Sequence, residues 1–308
     1  MKVLKEFRRN TPAMTDETAE SVRARLITAI HGPETVPKRA ARRLGRRVVL
    51  AAALALVVGG TVVTLNGPQE MAPVSGVAEL GERAARAAEK DRALTPDPTQ
   101  WLYTKELQLS GVVGDVDRDQ RNTWERWTSV DGKQSAWYQD GKLMFQGSAS
   151  FDPAVLAEPP VTPARVIAKI EAAILDEDRR GPQELNGRVP PKILLTVITQ
   201  LITEQWLAPE VRAALYRALP TIKGMKVAQD VPVADGRRGV AFSLTDAEAR
   251  SYLVLDPQTF RFLGTNSTRL KDRTFKWADG SKETFKEGTA GMTARLVAEI
   301  VDLPGQRP

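Results

Sequence analysis

Residues Val48 to Leu65 (VVLAAALALVVGGTVVTL) form an uncharged run of 18, the feature that constrains this chain most. As a helix rising about 1.5 Å per residue, the run spans roughly 27 Å, slightly under the hydrocarbon thickness of a bilayer. Lys38, Arg39, Arg42, Arg43, Arg46 and Arg47 precede it, and no Lys or Arg follows before Arg83. Long Arg stems can snorkel to make up the missing length. The asymmetry of basic residues places the N-terminus in the cytoplasm and the larger C-terminal part outside. The expected organisation is a basic helical cytoplasmic tail (1–47), a transmembrane helix (48–65), a juxtamembrane linker and helix (66–99) and an extracytoplasmic domain (100–308). Its expected location is the cell membrane, with the lipid bilayer as a partner.

A secretory signal peptide also combines a basic flank with an apolar core. Here 47 residues precede the core, and NGPQEMAPVSG after it has no good A-x-A cleavage site. ARRLGRRVVL matches a twin-arginine signal only loosely. The absence of Cys removes lipoprotein acylation and leaves the outer part to fold by apolar burial and strand pairing, without disulfides. Of the net charge of +6, residues 1–47 carry +7 and the remainder −1, so the basic character belongs to the tail.

Six of the tail's cations lie in KRAARRLGRR, where they satisfy the positive-inside rule and attract anionic head groups. Direct nucleic-acid binding is not expected, because Phe7 is the tail's only aromatic and no DNA-binding motif accompanies the charge. Thr15 can cap a helix whose first turns carry Asp16, Glu17 and Glu20 and whose stripe is Ala19, Val22, Leu26, Ala29 and Ile30. So short a helix cannot bury that stripe alone. Val22, Leu26 and Ile30 are therefore candidate partner-docking residues.

Outside, GVAELGERAARAAEKDR reads as a helical stalk or spacer, closed by the prolines of TPDPT. From Gln100 the period changes to two: WLYTKELQL, TWERWTSV, QSAWYQ and KLMFQG read as a meander with turns at Asp131-Gly132 and Asp140-Gly141. Three helices follow, the first capped by Thr162-Pro163, the second after Pro190-Pro191 and running to Trp206, the third opening at Pro209. Strands then resume at MKVAQDVPVA, RRGVAFSLT, ARSYLVL and TFRFLGTNSTR, with a hairpin turning at Asp279-Gly280 and an ambiguous ARLVAEIVD that is either strand or helix. Strands, helices and strands again predict an α+β fold: an antiparallel sheet with helices grouped on one face.

The basic tail, the single anchor, WLYTKEL, the DGK hairpin, LAPEVRAALYRALPTIKGMKV, DGRRGVAFSL and LVLDPQTFRFLGT together resemble a family of uncharacterised actinobacterial single-pass membrane proteins. These are often encoded beside extracytoplasmic-function sigma factors. Their outer domain is similar to the lipoprotein-carrier (LolA-like) and RseB-like half-barrel. The resemblance implies a half-barrel-like sheet and a sigma factor as partner of the tail, and it carries over no catalytic residues. Zinc-containing anti-sigma domains use one His and two Cys, whereas this tail has only His31, so any sigma-binding helices would be of the zinc-free kind.

No enzyme activity, cofactor or metal is expected. His31 is the sole histidine and lies in the tail, which leaves no Ser-His-Asp or metal-imidazole site outside. Asp115, Asp117 and Asp119 begin like a calcium loop, but Gln120 and Arg126 stand where Gly and Glu are needed. A carboxylate pair of the glycosidase kind, such as Glu106 with Glu125, would require a spatial coincidence that sequence does not reveal. The tryptophans are the better clue. In an open, curved sheet Trp101, Trp124 and Trp137 are candidates for lining an apolar groove that takes a lipid chain or a peptide. Trp124 and Trp127 cannot both face inward on one regular strand. Ala51, Ala55 and Gly59 form a small-residue row suited to a homodimer through the anchor. Two functions stay open: an extracytoplasmic sensor regulating a sigma factor, and a membrane-tethered lipid or lipoprotein carrier or scaffold.

Overall fold

The computed structural model describes residues 74–91, 95–109, 121–147, 151–179, 185–276 and 280–308. The anchor Val48–Leu65, the docking residues Val22, Leu26 and Ile30, the row Ala51, Ala55 and Gly59, the acidic loop Asp115, Asp117 and Asp119, and Trp277 lie outside these residues. Among the described residues no helix is long and apolar enough to cross a membrane.

Two antiparallel meanders are joined by the last strand. The first contains β1 (Trp101–Leu109), β2 (Arg121–Ser129), β3 (Gln134–Gln139) and β4 (Lys142–Gly147). The second contains β5 (Lys226–Pro232), β6 (Arg238–Thr245), β7 (Ala249–Leu255) and β8 (Phe262–Arg269). A separate hairpin, β9 (Arg273–Lys276) and β10 (Lys282–Phe285), precedes β11 (Gly288–Val301), which inserts between β1 and β8. Among the described residues this gives a nine-stranded sheet in the order β4-β3-β2-β1-β11-β8-β7-β6-β5. The ambiguous ARLVAEIVD is thus central strand. Its helical alternative loses because β1 pairs with it from Ala294 to Val301, while β8 pairs with the preceding part of β11, Gly288 to Met292. Gly264 permits the close fit, since a Cβ there would stand 2.2 Å from the Thr293 carbonyl oxygen on β11.

The turns form where the sequence supplies left-handed residues. Gly132 has φ 73°, and Asp140 and Gly141 have φ 50° and 74°, the geometry of a tight two-residue hairpin.

The helices are α1 (Val77–Lys90), α2 (Pro153–Ala157), α3 (Pro163–Asp178), α4 (Pro191–Glu204) and α5 (Pro209–Ala218). Each of α3 to α5 starts on a proline whose missing N–H costs nothing in the first turn. The Thr162 hydroxyl caps α3 by accepting from the Arg165 amide. The stripe Val166, Ile170 and Ile174, together with Leu194, Ile198 and Leu201 of α4 and Val211 and Leu215 of α5, joins Val240, Phe242, Leu244, Leu253 and Leu255 of the sheet in the main core. Tyr216 stacks on Phe242 with ring centroids 6.5 Å apart. The short α2 falls between expected elements; Asp152 caps it and Leu156 anchors it in the same core. The second central helix ends at Glu204, short of the expected Trp206.

The expected stalk is corrected. The GVAELGERAARAAEKDR segment is helical, but α1 is a layer of the folded unit, which extends over Asn66–Pro308, so the domain does not begin at residue 100. Leu80, Ala84, Ala85 and Ala88 are buried in the main core. Gly81 lets α1 approach α5, because a Cβ at that position would meet the Tyr216 carbonyl oxygen at 2.8 Å. Arg217 of α5 clamps the pair through Glu82 at 2.9 Å and Glu89 at 2.6 Å. An Ala-rich stripe reads as a spacer in sequence; here its small residues set a close helix–helix distance.

Two smaller clusters lie on the face of the sheet away from the helices. Val231, Val233, Ala241, Val254, Leu263 and Ala294 form one. Trp101, Tyr103, Trp127, Ala136 and Val301 form the other, covered by the C-terminal residues. There the Trp127 indole N–H donates to the Gln306 carbonyl at 2.6 Å, and Arg307 pairs with Glu125 at 2.7 Å.

Candidate functional site

The helix-bearing face of the sheet is covered by helices over β6 and β7, and the β2–β4 side of that face opens into a cleft of about 360 Å³. Register fixes which side chains line it. Arg295 on β11 reaches Glu106 on β1 at 2.9 Å and also donates to the Thr203 carbonyl at the end of α4, so Glu106 points toward the helices. Glu106 is opposite Trp124 on β2, and the period of two adds Arg126 and Thr128 to the same face. Thr128 is opposite Ser135 on β3, which brings Trp137 to that face, and Trp137 is opposite Met144 on β4. Trp124, Arg126, Thr128, Ser135, Trp137, Gln146 and Gly147 form the floor, with Glu204 and Gln205 at the end of α4 as the wall.

The structure divides the three tryptophans expected to share a groove. Trp124 and Trp137 line the cleft, and Trp101 is on the opposite face, buried beside Val301 and set edge-on to Phe145 with centroids 6.3 Å apart. Trp101 is removed from the groove by strand register: its ladder runs through Ser129 and keeps it with Tyr103 and Trp127. The groove is also more polar than an apolar-only lining.

Arg126 and Glu204 form an ion pair across the cleft, so among the described lining residues positive and negative charge balance. Gln205 is buried. Its amide N–H donates to the Phe151 carbonyl at 3.3 Å, and among the described residues its side-chain carbonyl oxygen has no hydrogen-bond partner. An unsatisfied buried acceptor costs about 1–3 kcal/mol, and this oxygen is enclosed by the protein rather than open to the cleft. Sequence reasoning missed Arg126, Gln146, Glu204 and Gln205. The end of α4 was legible as a helix terminus, and nothing in the sequence indicated that it would stand over β2.

Glu106 and Glu125 belong to adjacent cross-strand pairs and point to opposite faces, so they form no acid–base pair. Glu125 is held below the usual carboxylate range by the Arg307 hydrogen bond, against burial, with Tyr103 adding a second hydrogen bond. Burial and that same carboxylate push Tyr103 up to about 12. Among the described residues no group of three His, Cys, Asp or Glu stands close enough to hold a metal.

A smaller recess of about 160 Å³, lined by Lys192, Glu248, Arg269, Lys271 and Arg273, is a weaker candidate. Two of its cations are already paired, Lys192 with Asp246 at 2.7 Å and Arg273 with Glu248 at 2.6 Å. Burial would raise Asp246, but hydrogen bonds from Lys192 and from the Ala249 and Glu248 amides outweigh it and bring the carboxyl down to about 2. No protein-family model and no curated protein matches this sequence.

Proposed function

We propose that the unit containing the sheet is an extracytoplasmic sensor or ligand-binding domain of a single-pass membrane protein. In this reading Val48–Leu65 is the anchor and residues 1–47 are cytoplasmic, where Val22, Leu26 and Ile30 dock a sigma factor. The observation that carries the ligand-binding part is the cleft itself: two tryptophans and an ion pair line one cavity. A nine-stranded sheet whose helices cover one half of one face also accords with a half-barrel of the lipoprotein-carrier and RseB-like kind. The polar lining speaks against a carrier for bare acyl chains, since Arg126, Ser135 and Gln146 would each lose water against a lipid tail.

Native mass spectrometry of the full-length chain, purified in detergent from its own membranes, tests the site. A retained ligand that disappears in Trp124→Ala supports the reading, and a ligand retained equally by that variant moves the site elsewhere. Reporters active only outside the cell, fused at positions 20 and 250, test the topology. Activity at position 20 would sink it. For the tail, Leu26→Asp with Ile30→Asp is expected to abolish sigma-factor capture and leave membrane insertion intact; equal capture by the variant refutes docking.

A further inference from the structure

We infer that the cleft takes a neutral saccharide of one or two rings, with its ring faces against the indoles of Trp124 and Trp137. This rests on the reading of the cleft as the ligand site.

Strand register lays the cleft floor out as a grid. Thr128 is opposite Ser135 and Trp127 opposite Ala136, and one further step along that ladder puts Arg126 beside Trp137. Trp124 precedes Arg126 by two residues on the same face, which makes it the diagonal neighbour of Trp137, about 7–8 Å away between backbones. At the other end of the floor Ser135 is opposite Gln146, so Thr128, Ser135 and Gln146 form one polar row across β2, β3 and β4. The wall adds Glu204, held by Arg126. Two indoles thus adjoin a row of hydroxyl and amide groups within a volume of about 360 Å³. That volume is near the small end of small-molecule sites, roughly 300–1,000 Å³.

The lining groups are open to a ligand. Trp124 is exposed and Trp137 half-buried, and among the described residues neither indole packs against another aromatic ring. Among the same residues the side chains of Thr128, Ser135 and Gln146 have no hydrogen-bond partner, whereas on the opposite face Tyr103 donates to Glu125 at 2.7 Å. A sugar ring has an apolar C–H face, which an indole covers without stranding a polar group, and a rim of hydroxyls that each donate and accept. The lining answers both parts. Ser135, Thr128 and Gln146 donate and accept, Arg126 only donates, and Glu204 only accepts. A charged ligand would have to break the Arg126–Glu204 pair to be neutralised, and an acyl chain would leave the polar row without water or partner.

The test is an array of neutral oligosaccharides of glucose, galactose, mannose and N-acetylglucosamine, with uronic-acid and sulfated counterparts, probed with the full-length chain in a detergent that has no sugar headgroup. Those that bind are titrated in solution by tryptophan fluorescence and calorimetry. Neutral oligosaccharides should bind and shift the tryptophan emission. Their affinity should fall roughly tenfold or more in Trp124→Ala and about two- to tenfold in Gln146→Ala. Both substitutions are at exposed positions, and unchanged hydrogen exchange in α3 to α5 verifies that the variants fold. A blank array, a preference for the uronic or sulfated forms, or binding indifferent to either substitution overturns the proposal. Binding of a sugar only when it is linked to a lipid likewise overturns it. If the array is blank but native mass spectrometry finds a Trp124-dependent ligand that is not a saccharide, the ligand-binding reading stands and only the saccharide is refuted; if neither is found, both fall.

Discussion

Trp124 and Trp127 are three residues apart on β2 and serve opposite sides of one sheet. Trp127 is fully buried and hydrogen-bonded to the Gln306 carbonyl, while Trp124 remains 38% exposed at the mouth of the cleft. Substituting each by Phe separates the two roles. Trp127→Phe should cost about 1–3 kcal/mol, from a lost hydrogen bond and an unfilled space, and Trp124→Phe about 0.5 kcal/mol or less. Denaturant midpoints of the full chain check this; equal losses would mean that Trp124 is also a core residue.

Removing Gly305 to Pro308 should uncover the third cluster. Arg307 leaves both Glu125 and the face of Tyr138, over which it lies at 5.6 Å. Acrylamide should then quench one more tryptophan than in the intact chain, and the Glu125 carboxyl should titrate higher because its largest stabilising hydrogen bond is gone. Unchanged quenching would show that Trp127 is shielded by something other than the tail.

The clamp between α1 and α5 should be acid-labile. Hydrogen bonds from Arg217 and then Arg86 lower Glu82 from 4.5 to about 2. A depressed carboxyl stabilises the fold fully above its unfolded value and loses that stabilisation as pH falls from about 4.5 through about 2. In Glu82→Gln the thermal midpoint should fall less steeply across that window than in the parent chain. An identical slope would assign the acid sensitivity to other carboxylates. Because the Glu82 side chain is 41% exposed, solvent screening keeps the contribution modest.

The glycines make a paired test. Gly264→Ala puts a methyl 2.2 Å from the Thr293 carbonyl oxygen. It should cost about 3 kcal/mol or more, or abolish folding, by displacing β11. Gly141 has open space around it and φ 74°, so Gly141→Ala should cost only about 1 kcal/mol of backbone strain. Chemical denaturation distinguishes the two; a mild Gly264→Ala would mean that β8 and β11 separate easily.

Arg295→Met leaves Glu106, a mostly buried carboxylate, without its guanidinium. About 3 kcal/mol should be lost, and adding Glu106→Leu should restore part of it, since the cost comes from an uncompensated charge. Failure of the second substitution to rescue would point instead to the Arg295 bond with the Thr203 carbonyl.

Much of the secondary structure was legible because its signals are local. The alternation of WLYTKELQL, the Asp-Gly turns and the proline starts of α3 to α5 depend on steric and hydrogen-bonding preferences that act over a few residues. One reading failed and another stayed open where the deciding contact was distant. The α1 stripe of Leu80, Ala84 and Ala88 has the same local chemistry in a spacer as in a core layer, and α5, more than a hundred residues later, makes it core. Likewise ARLVAEIVD fits helix or strand until β1 offers it a row of partners.

Sequence alone determined that Trp124 and Trp127 must face opposite ways, because a strand's side chains alternate regardless of its neighbours. It also identified the helix stripes and the α+β class, which follow from periodicity. Tertiary structure decided which tryptophan met the cleft, that Trp101 left it, and that Arg126, Glu204 and Gln205 joined it. Those outcomes depend on inter-strand register and on where α4 ends above β2. Both are set by long-range packing and pairing, which local sequence preferences do not encode.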